Sequence, residues 1–234
     1  MTTLAFLKIA VCFLLVLAVT KPLGLYMRRV FSGERTFLDP VLAPLERLVY
    51  RLGGVEARKE QDWKSYASSL LVFSVLGVLG VYAVERLQRL LPLNPDHLPA
   101  VPPALAWNTA ISFVTNTNWQ AYVGEATMSH LSQMAALALQ NFLSAAAGIA
   151  IAVAVIRGIA RAEAKTIGNF WVDLTRATLW VLLPVSLVAA VVLMSQGVVQ
   201  SFSPSARVTT LDSATQTIPL GPVASQEAIK ELGT

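Results

Sequence analysis

Four apolar runs punctuate this chain, from about Leu4 to Thr20, Ser65 to Val84, Met128 to Ile156 and Leu179 to Met194. Each is long enough to cross about 30 Å of hydrocarbon as a helix. A fifth run, Trp107 to Val114, has room for only about two turns, which predicts a helix that dips into the membrane and turns back. The polar stretch Thr115-Asn116-Thr117-Asn118-Trp119-Gln120 follows it directly. Lipid cannot satisfy exposed N–H and C=O groups, so irregular backbone at that depth must be buried in protein or line water. The pattern predicts an all-α integral membrane protein with four transmembrane helices, a re-entrant pore helix and a filter loop.

Between the elements the polar segments differ in kind. Leu91 to Pro103 carries Pro92, Pro95, Pro99, Pro102 and Pro103, which suits an extended outer segment and forbids a regular helix. The third run begins near Gly124 and Glu125, with Thr127 or Ser129 placed to cap it. Further along, Ser144-Ala145-Ala146-Ala147-Gly148 supplies small residues that let membrane helices approach closely.

Composition agrees: 55% of residues are hydrophobic, 14% are charged, and mean hydropathy is +0.59. The net charge of +4 reflects topology. Nine of the 18 Lys and Arg residues lie between Lys21 and Lys64, and Arg157, Arg161, Lys165 and Arg176 lie between the third and fourth runs. The positive-inside rule makes both segments cytoplasmic and puts the N-terminus and the Asn/Thr loop outside. In the first segment Glu34, Asp39, Glu46, Glu56, Glu60 and Asp62 interleave with the bases, which argues against nucleic acid as a partner. The first run is read as a retained helix, because its positive flank, Lys21, Arg28 and Arg29, follows the apolar stretch and no small-x-small site precedes it. Cys12, alone in the chain, allows no internal disulfide and is read as a packing or lipid-facing residue.

The loop offers only neutral oxygens: its backbone carbonyls, the hydroxyls of Thr115 and Thr117, and the amides of Asn116, Asn118 and Gln120. Such dipoles suit a weakly hydrated monovalent cation such as potassium better than a divalent one. The short helix ahead of it would aim its C-terminal partial negative charge at the same place. Taken alone, these residues fit an ordinary polar outer loop equally well. A faint internal echo aligns Ala110–Asn116 with Ala228–Thr234, each after a span and an outer loop, and predicts a second dip beginning near Val223.

The segment from Leu105 to Arg157, above all Asn108-Thr109-Ala110, Ser112 through Gln120, Gly124-Glu125, Ser132-Gln133-Met134 and Gln140-Asn141-Phe142-Leu143-Ser144-Ala145, strongly resembles the potassium-binding subunit of the bacterial Kdp potassium-transporting ATPase. Leu91-Pro92-Leu93-Asn94-Pro95, Trp171-Val172-Asp173-Leu174 and Gly221 through Lys230 carry the resemblance across the whole chain. It implies a potassium-channel-like fourfold pseudo-repeat of helix, pore dip and helix around one outward-facing filter, in a multi-pass protein of the bacterial inner membrane. Potassium, the transported ion, would be selected at the filter and passed to a separate P-type ATPase subunit that hydrolyses ATP, with small single-span accessory subunits alongside. Carried onto this chain, the first filter strand is Thr115, Asn116, Thr117, Asn118 and Gln120, and Gln120 matches a position associated with potassium affinity. Residues 1–234 then form one membrane domain: an N-terminal helix at 4–20, a first pore repeat at about 65–156, and the start of a second at about 171–234. Members of the family continue into three further filter segments, so the chain is read as an N-terminal fragment.

Other polar residues receive plainer readings. His97 falls in the proline-rich outer loop and is expected to be solvated, Glu125 to be a first-turn helix charge, and His130 to pack between helices. No Walker motif, catalytic triad or metal-ligand cluster appears, so an enzyme is not expected. Two alternatives stand beside the pump-subunit reading: part of an unrelated secondary transporter, for which Pro184 in the fourth run is the one broken-helix feature, and a non-conducting membrane scaffold.

Overall fold

The computed structural model describes residues 2–161 and 165–233 and builds them mainly from helix. In order come α1 (Thr3–Ser32), α2 (Asp39–Gly53), α3 (Trp63–Leu87, prolonged by a 3-10 turn to Leu90), α4 (Pro103–Val114) and the single turn α5 (Gly124–Thr127). A π segment, Ser132–Ala138, leads into α6 (Leu139–Ala160), and α7 (Phe170–Arg176) passes through a second one, Ala177–Leu182, into α8 (Leu183–Ser195). An antiparallel hairpin of β1 (Ala206–Thr209) and β2 (Thr215–Ile218) precedes α9 (Val223–Gly233).

Four helical stretches are long and apolar enough to cross a membrane: Thr3–Ser32, Trp63–Leu90, Ser132–Ala160 and Phe170–Ser195. They coincide with the four apolar runs; the first, second and fourth extend beyond their runs, while the third begins at Ser132, inside its run, and reaches past it to Ala160. The first reaches Ser32 rather than Thr20 because Lys21, Arg28 and Arg29 are good helix formers whose long stems can lie along apolar surface. Pro22 sits within it, as membrane helices tolerate. The apolar surface of α1 is left uncovered by the rest of the chain, as a lipid-facing helix requires, and Cys12 lies on it.

α6 is the centre of the bundle, touching α3, α4, α7 and α9. The small-residue patch packs as expected, with Ala146, Ala147 and Ala150 buried against Tyr66, Phe73 and Phe170. At one end of this core lies Asp173, 1% exposed. Arg157 grips it with two hydrogen bonds, at 2.6 and 2.9 Å, and Tyr66 donates from α3 at 3.2 Å. The same guanidinium donates to the carbonyls of Ile167 and Phe31, which draws the end of α1 and the turn before α7 into one knot. Gly168 makes room for it: φ is +112° there, and a Cβ would collide with an Arg157 guanidinium nitrogen.

Pro184 has a local consequence. It has no N–H for the carbonyl four residues earlier, that of Trp180, and the Tyr26 hydroxyl of α1 donates to that carbonyl at 2.6 Å. The break in one helix is thus closed by another.

Two elements were not expected. The segment between the first and second spans folds into α2, whose Glu46 accepts hydrogen bonds from Arg176 and Trp180, each at 3.0 Å. The segment after the fourth span forms the hairpin, whose residues are mostly exposed and whose apolar positions, Ala206, Val208 and Ile218, are too few for a clear strand signal. The helix anticipated near Val223 begins at Val223, while Thr234, the last position of the echo, lies outside the described residues.

The buried ion pair yields a prediction. Arg157→Leu leaves the Asp173 charge without its partner and should destabilise the fold by about 3–5 kcal/mol. Thermal unfolding in detergent should show the loss, and the double variant Arg157→Leu/Asp173→Leu should recover most of it. A second prediction concerns Glu60, which joins the segment before α3 to Thr166 and Arg161. The Thr166 hydroxyl foremost, with Arg161, holds its carboxyl below the usual carboxylate range. A depressed carboxylate contributes stability above its unfolded value, about 4.5, that is lost as pH falls through the folded one. Glu60→Gln should therefore lose less thermal stability than the parent when acidified below pH 4.5, by a small margin because the pair is part-exposed.

Candidate ion-binding loop

α4 is 12 residues long, about 18 Å, which is too short to cross a bilayer. Pro103 opens it at a position where a missing N–H does no harm. Its buried face, Ala106, Ala110 and Phe113, packs on Val81, Val101 and Met128. Close approach to α3 depends on Gly77, where a Cβ would stand 3.2 Å from Val114 and 3.1 Å from the Gln140 amide oxygen.

The chain beyond Val114 turns tightly. The Thr115 N–H returns to Ile111 O at 3.0 Å, Asn116 to Phe113 O at 3.3 Å, and Thr117 and Asn118 to Ser112 O at 3.0 and 3.4 Å. The hydroxyls of Thr115 and Thr117 also donate to Ile111 O and Ser112 O, at 2.8 and 3.1 Å. Ser112 Oγ reaches the far side of the loop, to Trp119 O at 2.9 Å. Asn116 and Asn118 are left-handed, with φ of +57° and +52°, a conformation asparagine adopts more readily than most residues.

These bonds fill the carbonyls that end α4 and spare those that follow. Among the described residues no hydrogen-bond donor reaches the carbonyls of Val114, Thr115, Asn116, Thr117 or Asn118. The side chains brace one another instead. Asn116 Oδ1 accepts from Asn118 Nδ2 at 3.2 Å and from Ser144 Oγ of α6 at 3.0 Å, and the two threonine hydroxyls lie 3.2 Å apart. The structure thus gathers four of the five expected site residues into one turn. Gln120 stands farther along, where it lines a cavity of about 210 Å³ with Asn118, Asn141, Gln133 and Gln226.

Other expected roles fall where the residues suggested. Ser129 accepts from the Ser132 N–H and caps the entry to the third span. Glu125 lies in the first turn of α5, His97 is exposed, and His130 is buried with its ring beside Gly221. Sequence reasoning missed Gln88, which is fully buried and frames the region. Its amide donates to Pro99 O and Thr127 O and accepts from Ser129 N and Ser132 Oγ, tying the proline-rich loop to the start of the third span. A lone amide at the end of an apolar run was the available signal. Ser144 does more than pack: its hydroxyl, within a run of alanines, gives the loop a partner.

α9 sits against α6 much as α4 does. Gly233 permits the contact, since a Cβ there would stand 2.8 Å from Asn141 O. Two short helices, each following a span and a connecting segment, thus flank one central helix.

The sequence profile of the family described as KdpA, potassium-transporting ATPase A subunit, matches residues 10–234. This chain belongs to that family. Similar relatives include proteins named potassium-transporting ATPase potassium-binding subunit from Methylorubrum extorquens, 58% identical, Allorhizobium ampelinum, 57%, and Solibacter usitatus, 56%. Each alignment covers 100% of this chain and 41% of the relative, so the chain spans about two fifths of the length of the curated relatives it matches. Membership in the KdpA family sets aside the reading as part of an unrelated secondary transporter, and the four apolar helices make the chain a membrane protein.

The contact between α3 and α4 gives a further prediction. Gly77→Val forces a side chain into Val114 and Gln140 and should lower stability by about 1–3 kcal/mol, seen as a fall in the thermal midpoint. Gly80→Val, at a position with open space around it, should be far milder.

Proposed function

We propose that the chain is the ion-selecting part of a potassium-binding and translocating subunit in an ATP-driven, high-affinity potassium uptake complex. The observation that carries this reading is the run of undonated carbonyls from Val114 to Asn118, in a loop whose asparagines alternate into the left-handed region. Alternation between mirror-image backbone conformations turns successive peptide planes the same way, so neighbouring carbonyls can face one side. A row of such oxygens can replace the hydration shell of a weakly hydrated cation. Thr115, Asn116, Thr117, Asn118 and Gln120 would form one wall of a filter whose other walls come from equivalent segments. α4 would add the negative end of its dipole.

In this reading the subunit is not itself catalytic. ATP hydrolysis belongs to a P-type ATPase partner, small single-span subunits accompany it, and potassium is cargo. The names of the relatives support a potassium-binding role in such a complex. The placement of basic residues supports a bacterial inner-membrane topology with the loop and N-terminus outside.

Gln120→Arg in the assembled transport complex provides the test. A fixed cation about 4 Å from a bound ion opposes it by about 4 kcal/mol at an effective dielectric near 20. The external potassium concentration for half-maximal uptake should rise by orders of magnitude while the variant still assembles. Unchanged uptake kinetics would overturn the assignment.

A further inference from the structure

We propose that α2 is an interfacial helix that lies in the headgroup layer at the basic end of the bundle and recruits anionic phospholipid there. Its position demands a surface location. It follows α1 after six residues and precedes α3 by nine, so both its ends are tied to the same ends of two spans.

The helix has three distinct faces. One docks on protein: Leu42 is buried with Val30 and Trp180, and Glu46 bonds Arg176 and Trp180. A second carries Val41, Leu45, Leu48 and Leu52, which at 100° per residue form one narrow stripe, and Phe37 continues it toward α1. That stripe is uncovered, with Phe37 80% and Leu52 78% exposed. Flanking it on the side away from Glu46 are Arg47 and Arg51, both exposed.

Charge decides the occupant. In this segment Asp39, Glu46, Glu60 and Asp62 are already spent on bonds within the chain. Arg47, Arg51, Arg58 and Lys59 pair with no carboxylate among the described residues. An apolar stripe bordered by unneutralised cations, beside the ends of two membrane spans, fits acyl chains below and phosphate groups at their level. Trp63 at the start of α3 is 66% exposed and suits the same layer. The inference rests on the membrane spans and not on the potassium loop.

The test uses the full chain in lipid nanodiscs, in a Cys12→Ser background with Leu48→Cys carrying a bimane fluorophore, and repeats it on the intact complex isolated from cells. Spin-labelled lipids should quench the fluorophore, phosphatidylglycerol more strongly than phosphatidylcholine. Arg47→Gln and Arg51→Gln should each reduce that preference roughly five-fold, while quenching by lipid itself persists. Quenching by aqueous iodide but not by lipid would overturn the proposal. Loss of lipid quenching in the intact complex would assign the stripe to a protein partner and overturn it as well. Equal quenching by the two lipids would remove the anionic preference.

Discussion

A carboxylate buried among aromatic rings is costly unless its charge is answered, and the architecture of this chain is organised around one such answer. Asp173 sits at the start of the fourth span, and its partner Arg157 comes from the end of the third. Because the guanidinium also serves carbonyls from α1 and the turn before α7, one side chain fixes how three spans meet at the basic end. A pair of this kind specifies register more than it adds stability. Gly168, with a backbone that only glycine adopts readily, is the local concession that lets it form.

Rigidity at that end matters for the polar loop at the other. α6 runs between them, carrying Arg157 at one extremity and Ser144 and Gln140 nearer the loop. Ser144 holds Asn116, and Gln140 presses on Gly77 where α4 meets α3. The loop is therefore shaped by three helices at once. Capping of the α4 carbonyls by Thr115, Thr117 and the loop N–H groups completes this support without using the oxygens beyond.

Much of this was legible in the chain because hydrophobic length is a local signal. The four spans, the short helix before Thr115, the cap at Ser129 and the helix start at Val223 all follow from runs and breaks that a window of residues contains. What escaped depends on partners distant in sequence. The Asp173 pair needs the fold to bring residue 157 beside it, and Trp171-Val172-Asp173-Leu174 enters the sequence reading only through its family resemblance. α2 reads as a charged loop until its stripe is separated from its docking face. Gln88 looks like a solvated span end, and only the return of residues 99, 127, 129 and 132 encloses it. The hairpin at 206–218 gathers only Ala206, Val208 and Ile218 on one face, and four-residue strands with so few apolar positions are hard to separate from coil.

From Thr115 to Gln120 the chain carries hydroxyls, amides, an indole and backbone, with no acid, base or thiol among them. Nothing in this stretch can gain or lose a proton between mildly acidic and mildly basic surroundings. Its oxygens are therefore a constant of the fold: acidic surroundings or a swing in redox conditions alters the medium around the loop and leaves them chemically unchanged.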